Sequence, residues 1–583
     1  MSSTRISGTD SYCPADTSPE LCELTVGALL ARTAAAHPDA PAIVATSRSG
    51  DRRRLTYSEL ETEARRAAHA LRTLARPGES VAIVASNWAE WPIVAYGAML
   101  AGLVLVAVNP ASRDAELQHV VAHSGASVVI HERVEADRGP TPVVENVAEH
   151  CPALRHVVGL DEWAGLLRSH DPRPPLPETD PHRPALLQYT SGTTGRPKGV
   201  LLSQYSLVNN ARFTMRAAGV PTGAVCASPM PMFHVAGLVT CTLGPLSIAG
   251  TQVLIRRFHP ELVLDAIEQE SATVLFQTPA IVRSLLDFAR DTRRPLPRLT
   301  ALMGGAASVP SGLVREAEKA FGGQMLNLYG QTELASVATI VRPGQSDHDK
   351  AHTVGRPLPH LEVKIVDPTT REIAPLGRPG ELLVRGYQSF LEYHDDPSST
   401  ATTRSPEGWV RTGDLASMAP DGTVTITGRL KEIIIRGGEN VSPTEVEAVL
   451  RRLDGVLDAA VVGIPDPRFG EVVGAVVVLA EGVGAQAVHR LAEAAAAELA
   501  GFKVPTRWYR ATALPYTTTG KLQRTRVRET LQLGELDELG AAVDPRRFRT
   551  PDAHPAGPSA SEAATAGVPE ARSGVRGVPE EFQ

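Results

Sequence analysis

The sequence has no C-x-x-C pair, no long block of one charge and no Walker-type phosphate loop. Its five cysteines, Cys13, Cys22, Cys151, Cys226 and Cys241, are odd in number and widely spaced. That spacing argues against a disulfide framework or a zinc site and for a reducing cytoplasm. Lysine and arginine total 58 against 65 acidic residues, a net charge of −7. Basic residues gather no further than runs such as Arg52 to Arg54, so a nucleic-acid partner is not expected. The Ser/Thr-rich N-terminus has no apolar core behind a basic start and reads as no signal peptide. Only Trp91 to Val108 imitates a membrane span, with eighteen residues free of charge. Pro92, Gly97 and Gly102 punctuate it, and the β-branched Val104, Val106 and Val108 end at Asn109-Pro110. The pattern predicts a buried helix followed by a buried parallel strand.

At 583 residues the chain exceeds one ordinary domain and can bury a large core. From about residue 25 to 330 helical and strand patterns alternate, which predicts an α/β fold of layered parallel sheets. Leu60, Ala64, Ala67, Ala68 and Leu71 repeat at helical spacing behind the cap candidate Ser58, and a strand at Ser80 to Ser86 follows the break Arg76-Pro77-Gly78. Ala272 to Pro279 and Leu299 to Gly305 each read as a strand ending in a turn, where ligands of such sheets gather. Val354 to Thr427 carries short alternating strands and predicts a small antiparallel, barrel-like β unit. The expected organisation is an extension at 1–24, a large N-terminal domain at 25–427 with its β unit at 354–427, a joint at 428–432 and a small α+β domain at 433–535. The Pro/Ala/Gly/Ser-rich residues 536–583 predict a disordered tail.

The stretch YTSGTTGRPKGV, Tyr189 to Val200, has too little apolar surface for a core. Its small donors and Lys198 suit an anion, most naturally a phosphate chain. Counted from Gly192, Pro197 breaks the Walker spacing. A flexible surface turn is the plain alternative, and the rest of the chain decides between them.

Further motifs follow in order: PMFHVAG, GGAAS, YGQTE, GELLVRG, RTGD, GRLKEIIIRGGENVSPTEVE, GIPDPRFGE and TTTGKLQR. Together with the phosphate-loop stretch they span roughly residues 25 to 530. This set resembles the ANL superfamily of adenylate-forming enzymes, and within it the acyl-CoA synthetases. The resemblance implies that a carboxylate attacks the α-phosphorus of MgATP to give acyl-AMP and pyrophosphate, after which the thiol of coenzyme A attacks the acyl carbon. It further implies that Thr190, Ser191, Gly192, Thr193, Thr194 and Lys198 hold the leaving phosphates. Thr332 would bond the α-phosphate, and Glu333 would hold Mg²⁺, a hard ion that takes oxygen ligands. Gly305, Ala306 and Ala307 would face Tyr329 across the adenine, with Gly330 and Gln331 alongside. Asp414 would accept from the ribose hydroxyls, supported by Arg429. Lys521 would bridge carboxylate and α-phosphate as the main catalytic cation. His234 would position the acid in a pocket that includes Val235, Gly237 and Gly330. The small domain would swing about Lys431, withdrawing Lys521 and presenting Arg436, Gly437, Gly438 and Glu439 to coenzyme A.

These residues also have plainer readings: an Asx turn for Asp414, a surface position for Lys521, a core imidazole for His234. Motif order favours the chemical ones. Amino-acid-activating relatives place an aspartate just after the aromatic of the PMFH region, and Phe233-His234-Val235 offers none. Acetate- and propionate-activating relatives carry Trp where Gly330 stands, which implies room for a larger acyl group. Gln204 departs from the His of many relatives. The expected activity is therefore an acyl-CoA synthetase for a medium-to-large apolar carboxylic acid, with ATP, Mg²⁺ and coenzyme A. The alternative is an acyl-AMP ligase that hands its acyl group to a carrier-protein thiol or an amine. A non-catalytic nucleotide-binding protein and a luciferase-like oxidase fit the residues less well. No integral membrane span is expected, and a homodimer is left open.

Overall fold

The computed structural model describes residues 8–46, 51–112, 114–132, 150–190, 197–305, 309, 311–437, 439–483, 487–517 and 520–540. Two large sheets with parallel cores form most of the molecule. The first has seven strands and runs Glu392–Tyr393, Lys198–Ser203, Pro184–Thr190, Val104–Val108, Ser80–Val84, Ala126–His131, His156–Gly159. The second has nine and places Gln324–Tyr329, Ala301–Gly305, Val274–Gln277, Val225–Ser228, Thr251–Leu254 and Pro41–Thr46 side by side as parallel neighbours. Their central strands are short and largely buried, as expected where helices cover both faces of a parallel sheet. The span-like segment resolves into helix Glu90–Leu100 and strand Val104–Val108, both buried as expected. Among the described residues no helix is long and apolar enough to cross a membrane.

Helix Tyr57–Leu74 buries Leu60, Ala64, Ala67, Ala68 and Leu71. Its cap is Thr56, not the expected Ser58: Thr56 accepts from the Glu59 amide while the Glu59 carboxylate accepts from the Thr56 amide. This reciprocal box closes two open amides at once, which Ser58 inside the first turn cannot do.

The antiparallel unit contains Leu361–Val366, Gly380–Gly386, Val410–Met418 and Val424–Arg429, as the alternating pattern predicts. A fifth strand comes from the N-terminal extension, Tyr12–Cys13, paired with Val363 and Lys364. The small domain has its own sheet around Gly470–Leu479 and its own apolar clusters, centred on Val461, Val477 and Trp508 and on Ala460, Val462 and Tyr509. The start of the expected tail at 536 is corrected: Asp537–Gly540 is a strand that pairs antiparallel with Arg507–Arg510, and residues from 541 onward lie outside the described residues.

Gln204 now has a physical account. It is 3% exposed and starts the helix Gln204–Ala217. Its Oε1 accepts from the Val26 amide at 2.8 Å, at the N-terminus of helix Val26–Ala36, and its Nε2 donates to Met99 O at 3.4 Å. The side chain ties three helices. Truncation in Gln204→Ala leaves the Val26 amide without its acceptor, and the expected cost is about 1 to 3 kcal/mol, measured as a lower urea midpoint.

Candidate functional site

The site forms where strand ends of both large sheets meet the antiparallel unit. Strands Pro184–Thr190 and Lys198–Ser203 pair antiparallel with Thr190 opposite Lys198, so these two residues frame the mouth of the Gly/Thr-rich loop. Ser191, Gly192, Thr193 and Thr194 lie outside the described residues. Lys198 Nζ donates to Ser399 Oγ at 2.6 Å and stands 4.9 Å from the centre of the Tyr393 ring.

Gly305 and Tyr329 end neighbouring parallel strands, with Gly305 opposite Leu328; Ala306 and Ala307 fall outside the described residues. The Tyr329 hydroxyl donates to Asp414 Oδ2 at 2.7 Å, and Arg429 Nε meets Asp414 Oδ1 at 2.8 Å. Register explains the second contact, since Asp414 and Arg429 are direct partners across antiparallel strands. Asp414 is 4% exposed. Burial, then the Asp414 charge, pushes the Tyr329 phenol well above its ordinary value, so it remains a donor.

After Gln331 the chain makes a short 3₁₀ turn, Thr332–Leu334. Glu333 Oε1 accepts from the Tyr393 hydroxyl at 2.7 Å, and Oε2 has no hydrogen bond among the described residues. Gln331 Nε2 is buried and also without a partner among them. Ala335 and Ser336 follow at φ +52° and +109°. Two consecutive non-glycine residues in this region carry strain of the kind that collects at binding sites.

His234 sits just before a π-helix, Ala236–Leu243, a form that recurs at functional positions. Two buried amides hold its loop. Asn87 donates to Met230 O and Ile255 O at 2.9 and 3.1 Å and accepts from the Met232 amide at 2.9 Å. Gln188 Nε2 donates to Phe233 O at 2.8 Å. Burial lowers the His234 pKa and favours the neutral ring. Val235 is buried beside it.

Three of the glycines are required by close packing of neighbouring backbone. A Cβ on Gly330 would lie 1.6 Å from Ser336 O, so backbone already fills the space and this glycine opens no acyl pocket by itself. A Cβ on Gly305 would meet Leu328 O, and one on Gly237 would meet Pro231 O, each at 2.0 Å. In all three the missing side chain admits neighbouring backbone.

Lys521 enters this region from the small domain. It closes a tight turn in which Lys521 N donates to Thr517 Oγ1 at 3.0 Å and Thr517 N donates to Lys521 O at 2.8 Å. Gly520, at φ +80°, places its Cα against the large domain: a Cβ there would stand 3.6 Å from Ala280 Cβ and 3.9 Å from Thr278 Oγ1. The Lys521 side chain reaches solvent along the cleft yet is crowded by protein. That crowding, then the positive charge of Arg429, lowers its pKa against the pull of Asp414 and Glu432. Arg524, three residues on, pairs with Glu432 and with the buried Glu447. Glu432 ends the short turn Leu430–Glu432 that contains Lys431 and follows strand Val424–Arg429.

Arg436 is held inside the small domain. It is 5% exposed, donates to Phe502 O at 2.6 Å and stacks 5.5 Å from the Phe469 ring centre. In this arrangement its side chain packs within the small domain. Gly437, at φ +58°, turns the hairpin, and Glu439 pairs with Arg436 across it. Gly438 lies outside the described residues.

Sequence reading missed Tyr393, Ser399, Asn87 and Gln188. Each acts on a partner far away in the chain, and no local pattern marks such a contact. Taken together, the described groups offer a buried acceptor for hydroxyls, cations from two domains and a carboxylate with one free oxygen. No cluster of three or more His, Cys, Asp or Glu able to hold a metal occurs among the described residues. A lone carboxylate suits Mg²⁺ carried in on phosphates, since that ion keeps most of its shell from water and substrate oxygens.

Comparisons with known proteins agree with this chemistry. Residues 30–394 match the AMP-binding enzyme family and residues 445–521 match the AMP-binding enzyme C-terminal domain. The chain is 33% identical over 542 residues to the putative acyl-CoA synthetase YngI of Bacillus subtilis, covering 88% of this chain and 97% of the relative. It is 34% identical over 484 residues to indoleacetate–CoA ligase of Aromatoleum aromaticum, covering 82% and 93%. Among solved structures, ATP-bound MatB from Rhodopseudomonas palustris superposes with a TM-score of 0.77 at 27% identity, over 87% of this chain and 99% of that one. The chain belongs to the AMP-binding enzyme family, within the ANL superfamily of adenylate-forming enzymes. More narrowly, it is an acyl-CoA synthetase, an AMP-forming acid–thiol ligase.

Asp414→Asn removes the counter-charge of Arg429 and weakens the buried acceptor beside Tyr329. A fall in ATP affinity of about tenfold is expected, measured by calorimetry, with the melting temperature checked in parallel.

Proposed function

We propose that this acyl-CoA synthetase activates a medium-to-large apolar carboxylic acid in the cytoplasm. The neutral His234 and the uncharged, buried stretch Val235 to Leu243 support an apolar acid, as does the lack of an aspartate to meet an α-amino group. Relatives named for indoleacetate and for feruloyl-CoA are compatible with an aryl acid.

In the proposed sequence Asp414 accepts from the ribose while Tyr329 and Arg429 fix its two oxygens. Thr190, Lys198 and Thr332 hold the phosphates, and Glu333 holds Mg²⁺, which supplies charge neutralisation to those phosphates. Lys521 approaches from the small domain and offsets the charge that builds on the α-phosphate as the carboxylate attacks. The observation that carries the reading is the seat of Lys521, a cation from a separately cored domain whose turn lies against Thr278 and Ala280 of the large domain. Turning the small domain about Lys431 then removes this cation and admits coenzyme A. Transfer to a carrier-protein thiol or an amine is the alternative, and coenzyme A dependence of AMP release separates the two.

Lys521→Ala is expected to lower acid-dependent pyrophosphate–ATP exchange at least 100-fold, in the range seen when one fixed transition-state donor is removed, about 10² to 10³. Thioester formation from supplied acyl-AMP is expected to persist. Equal loss of both steps refutes the turning domain. Because the Lys521 pKa is lowered from 10.5 and the protonated form is the active one, exchange falls on the alkaline side at a pH below that value. Lys521→Arg moves this limb upward in the pH–rate profile.

A further inference from the structure

The segment from Glu392 to Thr400 lies outside every role considered so far, yet it touches both ends of the phosphate path. Strand Glu392–Tyr393 pairs with the Lys198–Ser203 strand, setting Tyr393 opposite Val200. This edge pairing brings Tyr393 beside the base of the phosphate loop. Its ring lies 4.9 Å from Lys198 Nζ, its hydroxyl donates to Glu333 Oε1 at 2.7 Å, and it is 6% exposed. The residue is itself well fixed: its amide donates to Thr400 Oγ1 at 2.9 Å, and its ring packs on Phe390 at 4.8 Å between centres. The Phe390 amide in turn donates to Glu333 O at 2.9 Å. Helix Pro397–Thr403, capped by Asp396, supplies the Ser399 hydroxyl that receives the Lys198 ammonium.

We propose that Tyr393 is a positioning residue that sets the metal-binding carboxylate Glu333 and the phosphate-binding ammonium Lys198 in one fixed relation. Its hydroxyl occupies Oε1 of Glu333 and so turns Oε2 toward the site, while its ring face steers Lys198. A carboxylate on a three-residue turn has little else to fix its rotamer. A hydrogen bond from behind lowers the entropy lost when the ion binds, and loss of such a partner in other metal sites costs about 10- to 100-fold in affinity. The ring contact adds a weaker cation–π attraction. Both contacts belong to one side chain, so a shift of the 392–400 segment moves the metal and the phosphate lysine together.

The inference rests on Glu333 as the metal ligand of the proposed reaction, and the test separates the two. Mn²⁺ binding to the protein–ATP complex is followed by water-proton relaxation, and ATP binding without metal is followed by calorimetry in EDTA. Tyr393→Phe keeps the ring and removes the hydroxyl. It is expected to weaken Mn²⁺ about tenfold while metal-free ATP affinity stays within about twofold. Tyr393→Leu removes the ring as well and is expected to weaken both. In a Glu333→Gln background, Tyr393→Phe is expected to change Mn²⁺ affinity no further. Unchanged Mn²⁺ affinity in Tyr393→Phe, with Glu333→Gln weakened, overturns the role of Tyr393 alone. Unchanged affinity in Glu333→Gln overturns the metal assignment and this inference with it. Equal losses of Mn²⁺ and metal-free ATP affinity in Tyr393→Phe show a general structural effect and also overturn it.

Discussion

The Asp414 carboxylate is the constraint on which the rest depends. It is buried, and burying a charge is tolerated only where its oxygens are paired. Tyr329 and Arg429 each take one oxygen, and the three residues come from different parts of the molecule. Tyr329 ends a strand of the nine-stranded sheet, Asp414 belongs to the antiparallel unit, and Arg429 is the last residue before the turn into the small domain. Satisfying one carboxylate therefore fixes the sheet, the β unit and the start of the joint relative to one another. Lys521 joins the same field from the far side.

Much of this was legible in the residues. Alternating texture located the antiparallel strands, and the punctuation inside Trp91 to Val108 separated a helix from a strand. What the sequence could not carry were contacts whose partners are remote. Thr56 outcompeted Ser58 as a cap because a box needs Glu exactly three residues on, and Glu59 completes it. Gln204 looked anomalous until the Val26 amide, far behind it in the chain, appeared against its side-chain oxygen. Gly330 was read by comparison with relatives that place a ring there, but here the carbonyl of Ser336 already stands where its Cβ would point. Arg436 sits in a glycine-rich motif that suggests an open path, yet Phe469 and the Phe502 carbonyl absorb its side chain.

In the proposed reaction the two domains divide the chemistry according to what must stay and what must leave. The groups proposed to recognise the nucleotide rest on strand ends and paired strands. The cation proposed for one step alone is on a short turn of the small domain, where Gly520 abuts Thr278 and Ala280 of the large one. That turn is braced by Arg524, which binds both Glu432 of the joint and the buried Glu447 of the small domain. Such a division makes motion of a whole body cheaper than rearrangement of a loop.

Strand Tyr12–Cys13 has a consequence for how the protein is made. Its partners, Val363 and Lys364, are synthesised about 350 residues later, as the span from Tyr12 to Glu362 records. At ribosomal rates of about 5 to 20 residues per second, the first strand waits roughly 20 to 70 seconds for its mate. During that interval its edge is open to other chains, and the β unit closes only after nearly all of the large domain has emerged.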